Sequence, residues 1–361
     1  MAHRITLELG ARSYEVVIGH GLNSDLTNAL AALAPPSILL VTDENVGKLH
    51  GARIEALLAA IAPVKCATIP AGENSKSLAQ FEMLCEKALT APSIERTSAV
   101  VALGGGLVGD LAGFAAATLL RGIPCIQVPT SLLAMVDSSI GGKTAVNHRS
   151  GKNLIGAFWQ PRAVICDLDF LGSLPAREYF SALAEIVKYA WIGGELTLDE
   201  LEAHKERIKA RTLGPLEQVV AACARHKARI VSTDEYERSG ERALLNFGHS
   251  VAHVLEAQYP ERFLHGEAVS IGLVAAARVS RAIAGLDPHS VGRLERLLSA
   301  FKLPVSIPSE LTASELIAGL RSDKKRAAGK LNFVVSPKPG RAMIMALDVD
   351  ARLADIILGR Q

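Results

Sequence analysis

The segment SALAEIVKYAWI (181–192) reads as an apolar helix whose only charges, Glu185 and Lys188, stand three residues apart on one face. A carboxylate and an ammonium on such a helix need partners, because an unpaired buried charge is costly. An intrahelical ion pair is the plain solution. Further on, LNFGHSVAH (245–253) sets His249 and His253 four residues apart on one helical face, a spacing that suits metal ligation. His265 follows in LHGEA (264–268), after a turn that contains Pro260. Three histidines and a buried glutamate form a nitrogen-and-oxygen donor set of the kind that holds a catalytic divalent metal with an open position. Spacing alone does not choose between His249 and His253.

A second chemistry is written in LGGGLVGD (103–110), which follows an apolar strand pattern and opens a helical one. Glycines let backbone amides approach a pyrophosphate, and a helix N-terminus favours negative charge. The spacing departs from the usual G-x-G-x-x-G, and a ligand-free tight turn is the plain alternative. Asp43, at the end of another strand, has the type that takes ribose hydroxyls or caps a helix. The block from 128 to 161 interleaves Thr130, Ser131, Asp137, Ser138, Lys143, Lys152 and Asn153 with apolar residues, as a partly buried polar site would. Lys143 and Lys152 suit a phosphate. GGKT at 141–144 lacks the full Walker spacing, so no P-loop is assigned. Lys227, Arg242 and the SDKK run at 322–325 add charge suited to a dianionic substrate.

These residues need a scaffold, and the sequence describes one. The 361 residues suffice for two domains, with 49% hydrophobic and only 4% aromatic residues, so aliphatic side chains must fill the cores. A net charge of +2 argues against a nucleic-acid partner. Five scattered cysteines without a C-x-x-C pair fit a reduced, cytoplasmic protein. No signal-peptide pattern opens the chain, and the longest apolar run is about half of what a bilayer requires, so no membrane role is expected. Alternating strands at 5–9, 14–18, 37–42, 67–69, 99–103, 125–128 and 163–166, with helices at 51–62 and 78–89, predict an α/β, Rossmann-like dinucleotide-binding domain over 1–177. Helical periodicity at 178–192, 196–210, 216–234, 247–259, 268–284 and 291–301 predicts a mainly α-helical metal- and substrate-binding domain over 178–361, with a late strand pair at 331–335 and 342–346.

Seven motifs in order, LGGGLVGDLAGF, RGIPCIQVPTSLLAMVDSSIGGKTAVN, GKNLIGAFWQP, LAEIVKY, LNFGHSVAH, LHGEAV and SDKK, make the chain resemble the 3-dehydroquinate synthase family across nearly its whole length. The resemblance implies a homodimer with NAD and one divalent metal, zinc or cobalt, in a cleft between the domains. It also implies conversion of 3-deoxy-D-arabino-heptulosonate 7-phosphate to 3-dehydroquinate and phosphate in the shikimate pathway. The implied steps are transient oxidation, phosphate elimination, re-reduction, ring opening and intramolecular aldol closure, which makes the protein a lyase.

By the same resemblance the metal ligands are Glu185, His249 and His265, and His253 faces the substrate phosphate. Lys143, Asn153, Asn246 and Lys324 match substrate contacts, Lys227 and Arg242 the substrate carboxylate, and Asp137 and Lys188 the reacting hydroxyls. Arg121 matches a residue that reaches the neighbouring subunit's site. Cofactor contacts fall on Asp43, Gly72, Glu73, Lys76, Gly106, Leu107, Val108, Gly109, Asp110, Thr130, Ser131, Lys143, Lys152, Phe170 and Ser173. Ser131, Met135, Ala182 and Ser250 depart from the family's usual threonine, glutamine, glycine and threonine. The competing readings are a related sugar-phosphate cyclase, a metal-dependent polyol dehydrogenase and a non-catalytic sugar-phosphate sensor.

Overall fold

The structure, a computed structural model, describes residues 2–90, 94–322, 326–327 and 330–360. The chain forms two compact units, residues 1–175 with 227–232, and residues 176–226 with 233–361. The sequence-based division at 177/178 therefore differs by two residues and by one short segment: the end of a long helix belongs with the first unit.

The first unit runs β1 (His3–Leu7), β2 (Tyr14–Gly19), α1 (Asn23–Leu33), β3 (Ile38–Asp43), α2 (Glu44–Val46), a π turn (Gly47–Gly51), α3 (Ala52–Ala59), β4 (Val64–Ile69), α4 (Leu78–Leu89), β5 (Ala99–Gly104), α5 (Gly106–Thr118), β6 (Cys125–Pro129), β7 (Lys143–His148), β8 (Gly151–Phe158) and β9 (Ala163–Asp167). Seven strands form one sheet in the order β1-β2-β9-β6-β5-β3-β4. All neighbours pair in parallel except β1 with β2. Strands β3, β5, β6 and β9 are buried at every position, as their mainly apolar sequences predict for a sheet covered on both faces. From β3 the chain leaves toward β4, and from its neighbour β5 toward β6 on the other side. That divergence is the switch point where an open α/β sheet presents its ligand crevice.

Helix α5 packs at close range because it carries glycine where neighbours press. A Cβ at Gly109 would stand 2.8 Å from Gln127 Oε1, and one at Gly113 would stand 2.5 Å from Thr144 Cγ2. The block from 128 to 161, in which no strand was expected, folds in part into the antiparallel β7–β8 hairpin, with Lys143 opposite Phe158 and Val146 opposite Ile155. Leu154 and Phe158 are exposed on it while Val146 is buried, so no clean alternation marks its strands.

The second unit contains α6 (Ala176–Ile192), α7 (Leu198–Lys209), α8 (Leu213–Thr233), α9 (His249–Gln258), α10 (His265–Ala284), α11 (Pro288–Ala300), α12 (Ala313–Ser322), a three-stranded sheet of β10 (Arg326–Ala327), β11 (Lys330–Lys338) and β12 (Arg341–Leu347), and α13 (Ala351–Leu358). Helices α1, α12 and α13 have no counterpart among the sequence-predicted elements. The core of α10 is lined by Val269, Ile271, Leu273 and Val274, each at most 1% exposed. Two glycines on α10 set its distance from its neighbours. A Cβ at Gly266 would lie 1.9 Å from the Ser181 carbonyl oxygen on α6, and one at Gly272 would lie 2.1 Å from the Gly248 carbonyl oxygen at the start of α9. Backbone atoms cannot yield as a side chain does. Gly266→Ala is therefore expected to destabilise the protein by about 1–3 kcal/mol and to weaken divalent-metal retention, read by urea unfolding and by metal content after dialysis. Wild-type values in both would contradict this account of the packing.

Candidate active site

The close approach of α6, α9 and α10 has a chemical consequence. Helix α6 carries Glu185, α9 begins at His249, and α10 begins at His265. One ligand atom from each lies within 4.8 Å of the others. Glu185 is fully buried, and its Oε1 stands 3.3 Å from His249 Nε2 and 3.4 Å from His265 Nε2. Lys188 Nζ ion-pairs with its other oxygen. Neither carboxylate oxygen has a hydrogen bond of acceptable geometry. A buried carboxylate left in that condition, with two imidazole nitrogens converging on it, fits a zinc-type divalent ion.

His249 is 8% exposed, whereas His253 is exposed and sits edge-on to the His249 ring at 5.7 Å, outside the three-residue cluster. His265 is placed by its helix start: Glu267 accepts from Leu264 N at 2.9 Å and is gripped by the Arg177 guanidinium at 2.7 and 2.8 Å. Burial pushes the Glu185 carboxyl up, but Lys188 and the two histidines outweigh it and hold the group well below the usual carboxylate range. For His265 burial acts downward, and the neighbouring Glu185 and Glu256 carboxylates overcome it, raising the imidazole to about 10. Burial, followed by the Lys188 charge, holds His249 below its ordinary value.

The first unit gathers a different set along the carboxyl edge of its sheet. After β5, Gly105 caps α5 without any side-chain hydrogen bond, and Thr130 N donates to Gly104 O at 2.9 Å. Side chains are crowded at this turn: a Cβ on Gly104 would meet Val108 Cβ at 2.5 Å, and one on Gly106 would stand 3.1 Å from Ser138 Oγ. The uncapped N–H groups and the bare glycine turn fit a dinucleotide pyrophosphate. Val108 is 0% exposed, its side chain packed against Gly104.

Around it Lys76, 5% exposed, ion-pairs with Asp110 and donates to Asn153 Oδ1. Asn147 donates to Glu73 Oε1 at 2.8 Å, and Asn153 N donates to Asn147 Oδ1 at 3.0 Å. The network thus ties the turn after Gly72 to hairpin β7–β8, on which Lys143 and Lys152 are exposed. Burial pushes the Asp110 carboxyl up in spite of Lys76. Asp43 caps α2, its Oδ1 accepting from Asn45 N at 2.9 Å and Val46 N at 3.0 Å. Ser131 Oγ accepts from Ala134 N at 3.3 Å. After β9, Phe170 is buried and Ser173 Oγ donates to Phe170 O at 2.9 Å.

Lys227 ion-pairs with Asp137, which lies on the π turn Ala134–Ser138. Arg242 is 2% exposed, and its Nη1 donates to the Glu235 carbonyl at 2.6 Å. Its loop is pinned by Asp234, which accepts from the backbone N–H groups of Arg238, Ser239 and Arg242. Burial opposes ionisation there, and those donors win, lowering the Asp234 carboxyl to about 2. Asn246 Nδ2 lies 3.5 Å from Glu237 Oε1. Arg121 is exposed and has a left-handed backbone (φ 70), as does Leu120 before it (φ 51). Lys324 lies outside the described residues.

Two residues not singled out from the sequence stand beside the predicted ones. His50, on the π turn after α2, lies 2.8 Å from Ser173 Oγ and edge-on to Phe170. Glu256 stands 3.4 Å from His265 Nδ1. A glutamate seven residues after His249 is on the same helical stripe, which is the one signal that pointed to it.

Known proteins resemble this chain along nearly its whole length. The family model described as 3-dehydroquinate synthase N-terminal matches residues 66–181, and the one described as 3-dehydroquinate synthase C-terminal matches residues 182–326. A 3-dehydroquinate synthase from Symbiobacterium thermophilum is 46% identical over 346 residues, covering 94% of this chain and 95% of that protein. The chain belongs to the 3-dehydroquinate synthase family. Among solved structures, a 2-deoxy-scyllo-inosose synthase complexed with carbaglucose-6-phosphate, NAD+ and Co2+ superposes with a TM-score of 0.87 at 26% identity, covering 99% of both chains. A 2-epi-5-epi-valiolone synthase from Streptomyces hygroscopicus, with NAD+ and Zn2+ bound, gives a TM-score of 0.85 at 28% identity over 96% of both chains. The sequence-based family and fold class thus hold, and no helix of the described residues is long and apolar enough to cross a membrane.

Proposed function

We propose that the protein is a 3-dehydroquinate synthase of the shikimate pathway, using NAD and one divalent metal, zinc or cobalt, to convert 3-deoxy-D-arabino-heptulosonate 7-phosphate to 3-dehydroquinate and phosphate. The observation that carries this reading is the buried Glu185, His249 and His265 cluster in a chain 46% identical to a protein of that name. When bound, the metal supplies Lewis-acid polarisation and NAD supplies reversible hydride acceptance.

The remaining work falls to the chain. Glu185, His249 and His265 hold the metal. The glycine turn, with Gly106, Leu107, Val108, Gly109 and Asp110, holds the pyrophosphate end of NAD, assisted by Thr130, Ser131, Lys143 and Lys152. Asp43, Gly72, Glu73, Lys76, Phe170 and Ser173 hold the rest of the cofactor. Lys143, Asn153, Asn246, His253 and Lys324 bind substrate, chiefly its phosphate, and Lys227 and Arg242 its carboxylate. Asp137 and Lys188 orient the reacting hydroxyls. The protein works in the cytoplasm as a homodimer in which Arg121 serves the partner's site.

Cyclases for sedoheptulose 7-phosphate or glucose 6-phosphate act on substrates without a carboxylate, so the cations Lys227 and Arg242 favour the heptulosonate. The test is phosphate release from 3-deoxy-D-arabino-heptulosonate 7-phosphate with the product identified. Release that stops with a chelator and yields 3-dehydroquinate is expected. Turnover of sedoheptulose 7-phosphate in its place, or net reduction of free NAD by a polyol, would overturn the reading.

A further inference from the structure

Glu256 is a carboxylate that the proposed reaction gives no role. It stands on α9 at the i+7 position from His249, and it is 8% exposed. A carboxylate so placed on a largely buried helix has a cost that must be offset by a partner. Its Oε1 lies 3.4 Å from His265 Nδ1, on the side of the ring away from Glu185, whose Oε1 lies 3.4 Å from His265 Nε2. The other histidine is arranged in parallel. His249 turns Nε2 toward Glu185 at 3.3 Å and Nδ1 toward the Phe247 carbonyl at 3.4 Å. Each imidazole therefore offers Nε2 to the cluster and keeps Nδ1 against an oxygen acceptor. An Nδ1–H held by an acceptor fixes the tautomer, leaves the Nε2 lone pair toward the ion, and makes that nitrogen a better donor. The two acceptors differ in charge: a neutral backbone carbonyl for His249, a carboxylate for His265.

We infer that Glu256 is a positioning residue for the metal centre, holding His265 through Nδ1 so that Nε2 faces the ion. This inference rests on the proposed metal site. The alternative role, a structural ion pair that merely neutralises His265, predicts a loss of fold stability without a change in metal affinity.

The experiment compares full-length wild type, Glu256→Gln and Glu256→Ala, each stripped by chelator and titrated with Co2+ or Zn2+ against a chromophoric competitor. Glutamine keeps an amide oxygen that accepts from Nδ1–H, and alanine keeps none. Glu256→Ala is expected to lose about 10- to 100-fold in metal affinity, with Glu256→Gln retaining most of it and the cobalt absorption spectrum changing in the alanine variant. Circular dichroism of the metal-free proteins verifies folding, and the glutamine variant keeps the comparison usable if alanine does not fold. Affinity of Glu256→Ala within about twofold of wild type would overturn the inference. A wild-type protein that binds neither ion would overturn the metal site itself, and the inference with it.

Discussion

Glu185→Gln is expected to lower turnover by about 10³-fold or more, with loss of the bound divalent metal. The carboxylate is the hub of the cluster, meeting His249 and His265 with one oxygen and Lys188 with the other. Glutamine preserves volume but removes the charge that attracts the cation. It also leaves the Lys188 ammonium, 1% exposed, without its carboxylate. Breaking a buried ion pair from one side costs about 3–5 kcal/mol, so the variant is also expected to be less stable. Activity loss therefore needs separation from unfolding. Wild type stripped by a chelator should lose activity and regain it on addition of Zn2+ or Co2+. The folded glutamine variant should not regain it even in millimolar metal. Because the ligands must be deprotonated to bind, uptake releases protons and occupancy should fall as pH is lowered. One equivalent of tightly held metal in an active Glu185→Gln protein would remove Glu185 from the ligand set.

The parts of this site that the sequence made legible share a physical feature: they break a local pattern. Glu185 and Lys188 are the only charges in the apolar stretch 181–192, and the glycines at 104–106 interrupt a strand-to-helix junction. Burial of β3, β5, β6 and β9 follows from mainly apolar runs, although Gln127 in β6 is buried with them. What stayed hidden depends on tertiary contact. His249 and His253 present the same i, i+4 spacing, and only the packing of α9 buries one and exposes the other. Glu256, read alone, is one more helical glutamate. Lys227 and Asp137 are 90 positions apart, and no short-range pattern joins them. The same contact draws 227–232 into the first unit, which composition does not announce. Hairpin β7–β8 escaped because apolar residues stand at exposed as well as buried positions, Leu154 and Phe158 outside and Val146 inside, so no clean alternation marks it.

The second large effect separates substrates. Arg242→Lys and Lys227→Met are each expected to lower kcat/KM for the heptulosonate phosphate by about 10²- to 10³-fold. The Arg242 backbone is anchored by Asp234 and its Nη1 by the Glu235 carbonyl, so the guanidinium is held in one orientation before substrate arrives. Lysine keeps the charge and loses the planar fork that matches a carboxylate. Methionine at 227 keeps apolar bulk and removes the cation, but it also leaves Asp137 without this partner. A fall in activity alone would thus mix carboxylate recognition with a disturbed Asp137. The discriminating quantity is a ratio. Sedoheptulose 7-phosphate, used as a competitive inhibitor, presents the phosphate and hydroxyls without the carboxylate. If the two cations recognise the carboxylate, its inhibition constant should stay within about threefold of wild type while kcat/KM for the true substrate collapses. Equal losses for both ligands would move Lys227 and Arg242 from carboxylate recognition to general support of the site.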